Sequence, residues 1–289
     1  DGGAGMSGGL ILALALLFWA AAWAVNTVVA GGPIGRTRAG RIFVPALFGV
    51  TLLVLWEGIV RGLGVSAVIL PPPSAIAAKI AESTGLLWAD FVQTVLKGAL
   101  SGFLIGTAAA FVTAVICDRV PFLRAGLLPV GNFVAALPIV GLAPILVMWF
   151  GFGWQSKAAV VVAMVFFPTL INIVAGLAAS ERMQRDLMAT WGASYWQALW
   201  KLRLPAAMPF VFNGLKIAAS LALIGAIVAE YFGSPVVGMG FRISTAVGVL
   251  NIELVWAEIA VAALAGSAFY GLIALIEKGV TFWHPSQRN

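Results

Sequence analysis

Side chains able to do chemistry are sparse in this 289-residue chain: eleven Asp and Glu, seventeen Lys and Arg, one His and one Cys. Cys117 alone cannot make an internal disulfide or a thiolate cluster. His284 sits at the tail, so no His-based metal site can be assembled within one chain. No G-x-x-x-x-G-K-[ST] run occurs, which excludes ATP held by a P-loop. No catalytic residue, metal ligand or cofactor is expected. The polar residues can instead hydrogen-bond at membrane depth or dock a partner, and three places offer that.

The first runs from Glu181 to Pro205. Leu187, Met188 and Trp191 make an apolar stripe beside Arg182, Arg185 and Asp186. The pattern predicts two short amphipathic helices broken at Gly192, which can turn where a Cβ would clash. The segment continues through Ala193 and Ser194 and re-enters an apolar run at Leu204-Pro205. Such a surface suits a groove on a soluble partner, the alternative being a helix lying on lipid headgroups.

The second is the apolar run Pro129–Phe150, interrupted by Pro129, Pro138 and Pro144. Proline removes a backbone donor, and freed carbonyls at membrane depth are tolerated where they are buried in protein or line a watery cavity. Asn132 and Asn172 add polar groups at comparable depth, where an interhelical hydrogen bond is the commoner role. The third is Glu230, which continues a stripe of small residues, Gly214, Ala218, Ala222 and Ala226. A carboxylate on a packed face near a span end is a functional candidate; the bland alternative is a boundary residue facing external water. Lys216 cannot pair with it within one straight helix, being roughly 21 Å away along the axis. Glu57 and Arg61 are spaced for an interfacial i,i+4 pair.

The elements that must position these residues are transmembrane. Hydrophobic residues make up 62% and charged residues 10%, with a mean hydropathy of +1.04, against about 25% charged in soluble domains. A soluble enzyme could not cover its surface with so few charges, and disorder needs the opposite composition. The chain is therefore expected to be an all-α, polytopic membrane protein. Its net charge of +6 fits basic loops and anionic lipid rather than nucleic acid. Spans of about 20 apolar residues are predicted near Leu10–Val29, Ile42–Val60, Val92–Ile116, Pro129–Phe150, Ala158–Ala178, Ala206–Ala229 and Val255–Ile276. Asp1–Gly5 reads as a cloning remnant or as upstream sequence misread as coding, and is set aside. Leu70-Pro71-Pro72-Pro73-Ser74 leads into a short interfacial helix that Ser74 is expected to cap. Gly98, Gly102, Gly106 and Ala110 repeat the small-residue stripe of the sixth span; either stripe could serve packing within one subunit or a contact between subunits.

The segment 181–205 resembles the EAA loop of permease subunits from bacterial ATP-binding cassette importers. That pattern is Glu-Ala-Ala, three residues, Gly, nine residues, Ile, one residue, Leu-Pro. Asp186, Gly192, Leu202, Leu204 and Pro205 fall at its spacing, with Leu187 and Met188 in place of the two alanines. The wider chain, roughly Arg41 to His284, is similar to the branch that handles nitrate, aliphatic sulfonates, taurine and thiamine pyrimidine precursors. That likeness rests on Leu70–Ser74, Ala143–Gly153 and Val228-Ala229-Glu230. The resemblance implies a type I importer permease fold of six core transmembrane helices, here with one extra N-terminal helix. Residues 1–40 then form an anchor helix and Gly/Arg linker, and residues 41–289 the permease domain with its coupling loop. It also implies a cytoplasmic ATPase dimer, a periplasmic or lipid-anchored binding protein, a second permease copy and an inner-membrane location. The substrate would be a small anion or heterocycle: sulfonate, taurine, nitrate or a pyrimidine vitamin precursor. ATP hydrolysis would belong to the separate chain. The alternative, an integral-membrane lipid-modifying enzyme, should show clustered acids, His or Arg at one membrane face, and the acids here are scattered.

Orientation follows from Lys and Arg placement. With the loop after the fifth span in the cytoplasm, inside segments hold eleven, from Arg36 to Arg288. Outside segments hold five, namely Arg61, Lys79, Lys157, Arg242 and the boundary residue Lys97. This bias places the C-terminus inside and, with seven spans, the N-terminus outside. A cysteine at Ser194 is then expected to be labelled from the cytoplasm and one at Ser234 from outside; labelling from the opposite sides overturns the orientation.

Overall fold

The computed structural model describes residues 7–233 and 236–283, so Ser234, His284 and Arg288 lie outside the described residues. The expected spans appear as helices α1 (Gly8–Gly31), α2 (Arg38–Gly62), α4 (Thr84–Arg119), α7 (Trp154–Ala178), α9 (Tyr195–Phe232) and α11 (Ile252–Val280). Shorter helices are α3 (Pro73–Glu82), α5 (Pro121–Ala135), α6 (Ile139–Phe150), α8 (Arg182–Thr190) and α10 (Met239–Gly248). The fourth expected span is the pair α5 and α6, bent by 101°. Of its three prolines only Pro138 marks the break, as the N-cap of α6; Pro129 and Pro144 sit inside α5 and α6.

The chain divides into two compact units, Asp1–Thr84 with Thr245–Glu258, and Gly85–Ser244 with Ile259–Asn289. In the first, α1 and α2 run antiparallel. Their backbones touch where a Cβ on Gly58 would lie 2.2 Å from Ala15 Cβ, and where one on Gly62 would lie 2.9 Å from the Gly8 carbonyl. Thr37 caps α2 by accepting the Gly40 N–H at 3.1 Å. Ser74 does not cap α3 as expected. Pro72 holds the cap position and Ser74 is a residue of the first turn. Its orphan N–H donates to Glu57 Oε2 at 2.9 Å, its hydroxyl donates to Glu57 Oε1 at 2.6 Å, and Arg61 donates to that hydroxyl at 2.8 Å. The Glu57–Arg61 pair thus does more than join two turns of one helix: it supplies the missing acceptor for α3.

The second unit is built on α7, which packs against both α4 and α9. Lipid gives helices little hydrophobic reason to associate, so close approach of backbones must provide the contact. A Cβ on Gly102 would lie 2.5 Å from Val161 Cβ, and one on Gly106 2.5 Å from Val165 Cγ2. From α9, Gly214 fits against Asn172 and Gly225 against Val161 and Met164. Ala110, Ala218, Ala222 and Ala226 are fully buried. Both small-residue stripes are therefore used in packing within the chain.

Two π-helical stretches relieve the long helices, Val92–Ala99 in α4 and Leu199–Arg203 in α9. The second has a local cause. Pro205 has no N–H and would clash with the preceding turn, and widening that turn lets the Leu204 N–H reach the Leu199 carbonyl. Helix α9 therefore runs on through Pro205. The second short helix expected after Gly192 is the first turn of this long one.

Gly102→Leu is expected to destabilise the protein by about 1–3 kcal/mol through overpacking. Gly271→Ala, whose added methyl meets nothing within 4 Å, should leave the thermal midpoint in detergent unchanged.

Candidate functional site

The loop between α7 and α9 is built from two local stop signals. Helix α8 ends at Gly192, whose φ is +69°. The Gly192 N–H donates to Ala189 O at 2.9 Å and the Ala193 N–H to Met188 O at 3.0 Å, which is a Schellman closure. Ser194 then opens α9 with a capping box: its hydroxyl accepts the Gln197 N–H at 3.3 Å and its own N–H donates to Gln197 Oε1 at 2.8 Å. No residue of α8 is buried. Met183, Leu187 and Trp191 follow one another at four-residue steps and stand 76%, 49% and 73% exposed, with Met188 half-buried beside them. Asp186 does not cap the helix. It meets Arg182 at 3.8 Å on the surface, a contact worth about 0.5 kcal/mol or less.

Beneath the loop lies a cluster that sequence reasoning missed. Asp118, at the end of α4, accepts two bonds from the Arg203 guanidinium, Nη1 to Oδ2 at 2.7 Å and Nη2 to Oδ1 at 2.5 Å. Tyr195 adds its hydroxyl to Asp118 Oδ2 at 2.8 Å. Arg203 also donates to Leu177 O, at 3.2 Å from Nε and 2.9 Å from Nη2, satisfying a carbonyl that the end of α7 leaves without a helical partner. The guanidinium of Arg119 stands 5.4 Å from the Tyr195 ring centroid and 5.7 Å from that of Trp196.

Further along the spans, the bend between α5 and α6 opens a cavity of about 160 Å³ walled by Val134, Leu137, Ile139, Leu142, Met164 and Pro168, among others. Pro138 lies at the bend, Asn132 is exposed on α5, and Pro144 is half-buried on α6. Asn172 donates to Pro168 O at 2.8 Å and accepts from Asn213 Nδ2 at 3.0 Å. That is the interhelical role expected of it, and it adds Asn213, which lies exposed on α9. Lys216 pairs with Glu277 of α11 at 2.8 Å, both side chains largely hidden from solvent.

At the opposite end of α9 from the loop, Glu230 faces no water: it is 0% exposed. Its Oε2 accepts the Thr94 hydroxyl at 2.6 Å and the Gly240 N–H at 3.1 Å. Thr94 in turn accepts the Met239 N–H at 2.8 Å. Asp90 accepts the Gly238 N–H at 2.6 Å and Arg242 Nε at 2.8 Å. Buried Lys157 donates to the carbonyls of Phe152, at 2.8 Å, and Gly233. The three acceptors on α4 and α9 therefore collect the free N–H groups at the start of α10. Only glycine fits there: a Cβ on Gly238 would lie 2.5 Å from the Glu230 carboxyl carbon, and one on Gly240 2.0 Å from the Ile227 carbonyl. Glu230 is roughly 13 Å along α9 from Leu221 at the cavity wall, while its neighbour Ala229 shares a buried cluster with Ala143 and Leu146 of α6, on either side of Pro144. The available signal was the i,i+4 pair Asp90 and Thr94 facing a Gly-x-Gly. Among the described residues, no three His, Cys, Asp or Glu side chains converge to hold a metal ion.

Among the described residues, six helices long and apolar enough to cross a membrane, with a sharply bent pair and an exposed loop helix, define a polytopic membrane protein. Residues 102–282 match the binding-protein-dependent transport system inner membrane component family, and the chain belongs to it. It is 34% identical over 237 residues to the riboflavin transport system permease protein of Chloroflexus aurantiacus, covering 81% of this chain and 88% of that one. It is 30% identical over 254 residues to the formylaminopyrimidine transport permease protein of Halalkalibacterium halodurans, covering 86% and 99%. With the taurine transport system permease protein of Escherichia coli it shares 27% over 240 residues, covering 81% and 86%. These relatives are transport permeases and lend nothing to the lipid-modifying alternative.

Thr94→Val removes one donor to a buried carboxylate and is expected to cost about 1–3 kcal/mol. Gly240→Ala, which drives a methyl into a carbonyl, should lower the thermal midpoint further than Thr94→Val does.

Proposed function

We propose that this chain forms the translocation pathway of an ATP-driven importer and receives its energy through residues 181–205. The carrying observation is the loop itself. The Schellman closure at Gly192 and the capping box at Ser194 hold Met183, Leu187 and Trp191 outward on a helix with no buried residue. An apolar stripe held this way suits a groove on a separate cytoplasmic ATPase, two copies of which would match two permeases. Since both small-residue stripes are occupied within the chain, the contact between permeases uses other faces. A periplasmic or lipid-anchored binding protein delivers substrate at the end opposite the loop, with the C-terminus in the cytoplasm.

The pathway passes the elbow at Pro138, with Asn132, Pro144 and Asn172 shaping it. Glu230 contributes by fixing α10 at the pathway's outer end. The substrate is a small anion or heterocycle, such as a sulfonate, taurine, nitrate or a vitamin precursor. The neutral heterocycle is favoured by the fate of Lys216, the cation that the sequence places inside a span: it is paired with Glu277 and is not left to balance a passing anion. Apolar walls and amide groups suffice for a neutral ring.

Gly192→Val puts a β-branched residue at a positive φ, which such residues rarely adopt, and Asp186→Lys reverses the charge beside the stripe. Both should insert normally yet lose the ATP hydrolysis stimulated by loaded binding protein, Gly192→Val the more severely. A loop that merely lies on headgroups predicts little change for Gly192→Val. Wild-type stimulation in an intact Gly192→Val complex rules out the coupling role.

A further inference from the structure

We infer that Asp118 and Arg203 are the positioning pair through which movement of helix α8 reaches the spans, a reading that rests on the docking role proposed for residues 181–205. Helix α8 hangs between two short connections, 179–181 and 191–194. Slack in either would let it shift without moving anything else. Both junctions are tied down. Arg185 reaches back from α8 to donate to Ser180 O and, at 3.1 Å, to Ser180 Oγ. On the other side, Tyr195, the first residue of α9, donates to Asp118. The Arg203 fork then joins three helices at one point: the end of α4 through both Asp118 oxygens, the end of α7 through the Leu177 carbonyl, and α9, two turns past its start, through its own backbone. The two side chains are 6% and 16% exposed, so the bonds are sheltered from competing water.

The choice of a charged pair here is informative. An apolar contact of similar size would hold two helix ends together at least as well, because desolvating the charges offsets their attraction. A bidentate guanidinium–carboxylate contact adds direction: it fixes the relative rotation of the two ends, which greasy packing does not. It also sits at the π-helical turn Leu199–Arg203, where α9 has the weakest hold on its own geometry. The fork stiffens the turn that would otherwise absorb the motion.

The test uses the complete reconstituted transporter, permease with its ATPase and loaded binding protein in lipid, and reads substrate moved per ATP hydrolysed. Asp118→Asn keeps the shape and loses the charge. We expect it to retain the ATPase at wild-type stoichiometry while the transport-to-hydrolysis ratio falls about tenfold, the scale of coupling changes along such networks. Arg203→Lys, which keeps the charge without the fork, should fall as well, and Tyr195→Phe only slightly. A wild-type ratio in Asp118→Asn overturns the inference, and so does loss of the ATPase from that complex, since the pair would then be merely structural. If Asp118→Asn does not accumulate, Arg203→Lys decides in the same way. Trp191→Ala tests the underlying reading separately: a complex that still binds and stimulates the ATPase removes the docking role whatever Asp118 does.

Discussion

Because lipid tails are as apolar as leucine, two helices in a bilayer gain little by burying apolar surface on each other. The second unit therefore depends on how closely α4 and α9 can approach α7, and that distance is set by glycine. Gly102 and Gly106 admit Val161 and Val165, and Gly225 admits Met164. Contact this close has only one workable register. A slip of one residue turns a helix by about 100° and swings every glycine out of its seat. The same register puts Thr94 under Glu230 and Asp118 beside Arg203. Those pairs are roughly 36 Å apart along α4 and 40 Å along α9, longer than the roughly 30 Å hydrocarbon layer. The glycine-packed middle and the two polar ends are thus consequences of one alignment.

The polar ends differ in what they hold. Near Glu230, acceptors on two long helices gather the backbone donors that begin a third, and the glycines at 238 and 240 let the chain come close enough to be held. Near Arg203, a side-chain fork gathers carboxylate and carbonyl groups where helices stop. In each case a helix terminus, which always leaves backbone groups unpaired, is satisfied by a charged side chain from a neighbour. Burying Asp90, Asp118 and Arg203 is tolerated because each has several partners, whereas Glu230 bonds through Oε2 alone and its buried Oε1 has no hydrogen-bond partner.

What was legible in the sequence was local. Gly192 announces its turn, Pro138 its break, and twenty-residue apolar runs their spans, because the physics lies within a few residues of each. The family likeness was legible because the loop carries its spacing in one segment. The ion pairs were not: Asp118 and Arg203 are 85 residues apart, Lys216 and Glu277 61, Asp90 and Arg242 152. No periodicity links such partners. Of the two readings of Glu230, the boundary residue facing water fails for the same reason, since its shelter comes from Thr94 and Gly240 on other segments. Ser74 and Pro205 were misread differently. Each is a strong local signal answered from further away or by an adjusted helix: Ser74 by Glu57 on α2, Pro205 by a widened turn.

This division between tied ends and an open middle bears on where the molecule can change shape. Helix α8 is tethered at both junctions, and Arg203 joins the ends of α4 and α7 to α9, so rotation about the loop end moves them together. The bend between α5 and α6 has no such tie. Around Ala136–Pro138 the helical ladder stops, Pro138 offers no donor, and the wall of the cavity is aliphatic. An aliphatic wall can reshape without breaking a hydrogen bond, whereas the forked end cannot. Under the docking role proposed for the loop, motion entering there would have a stiff route through α4, α7 and α9 and a compliant outlet at the elbow. The elbow is also where a substrate passing between the helices would need the space.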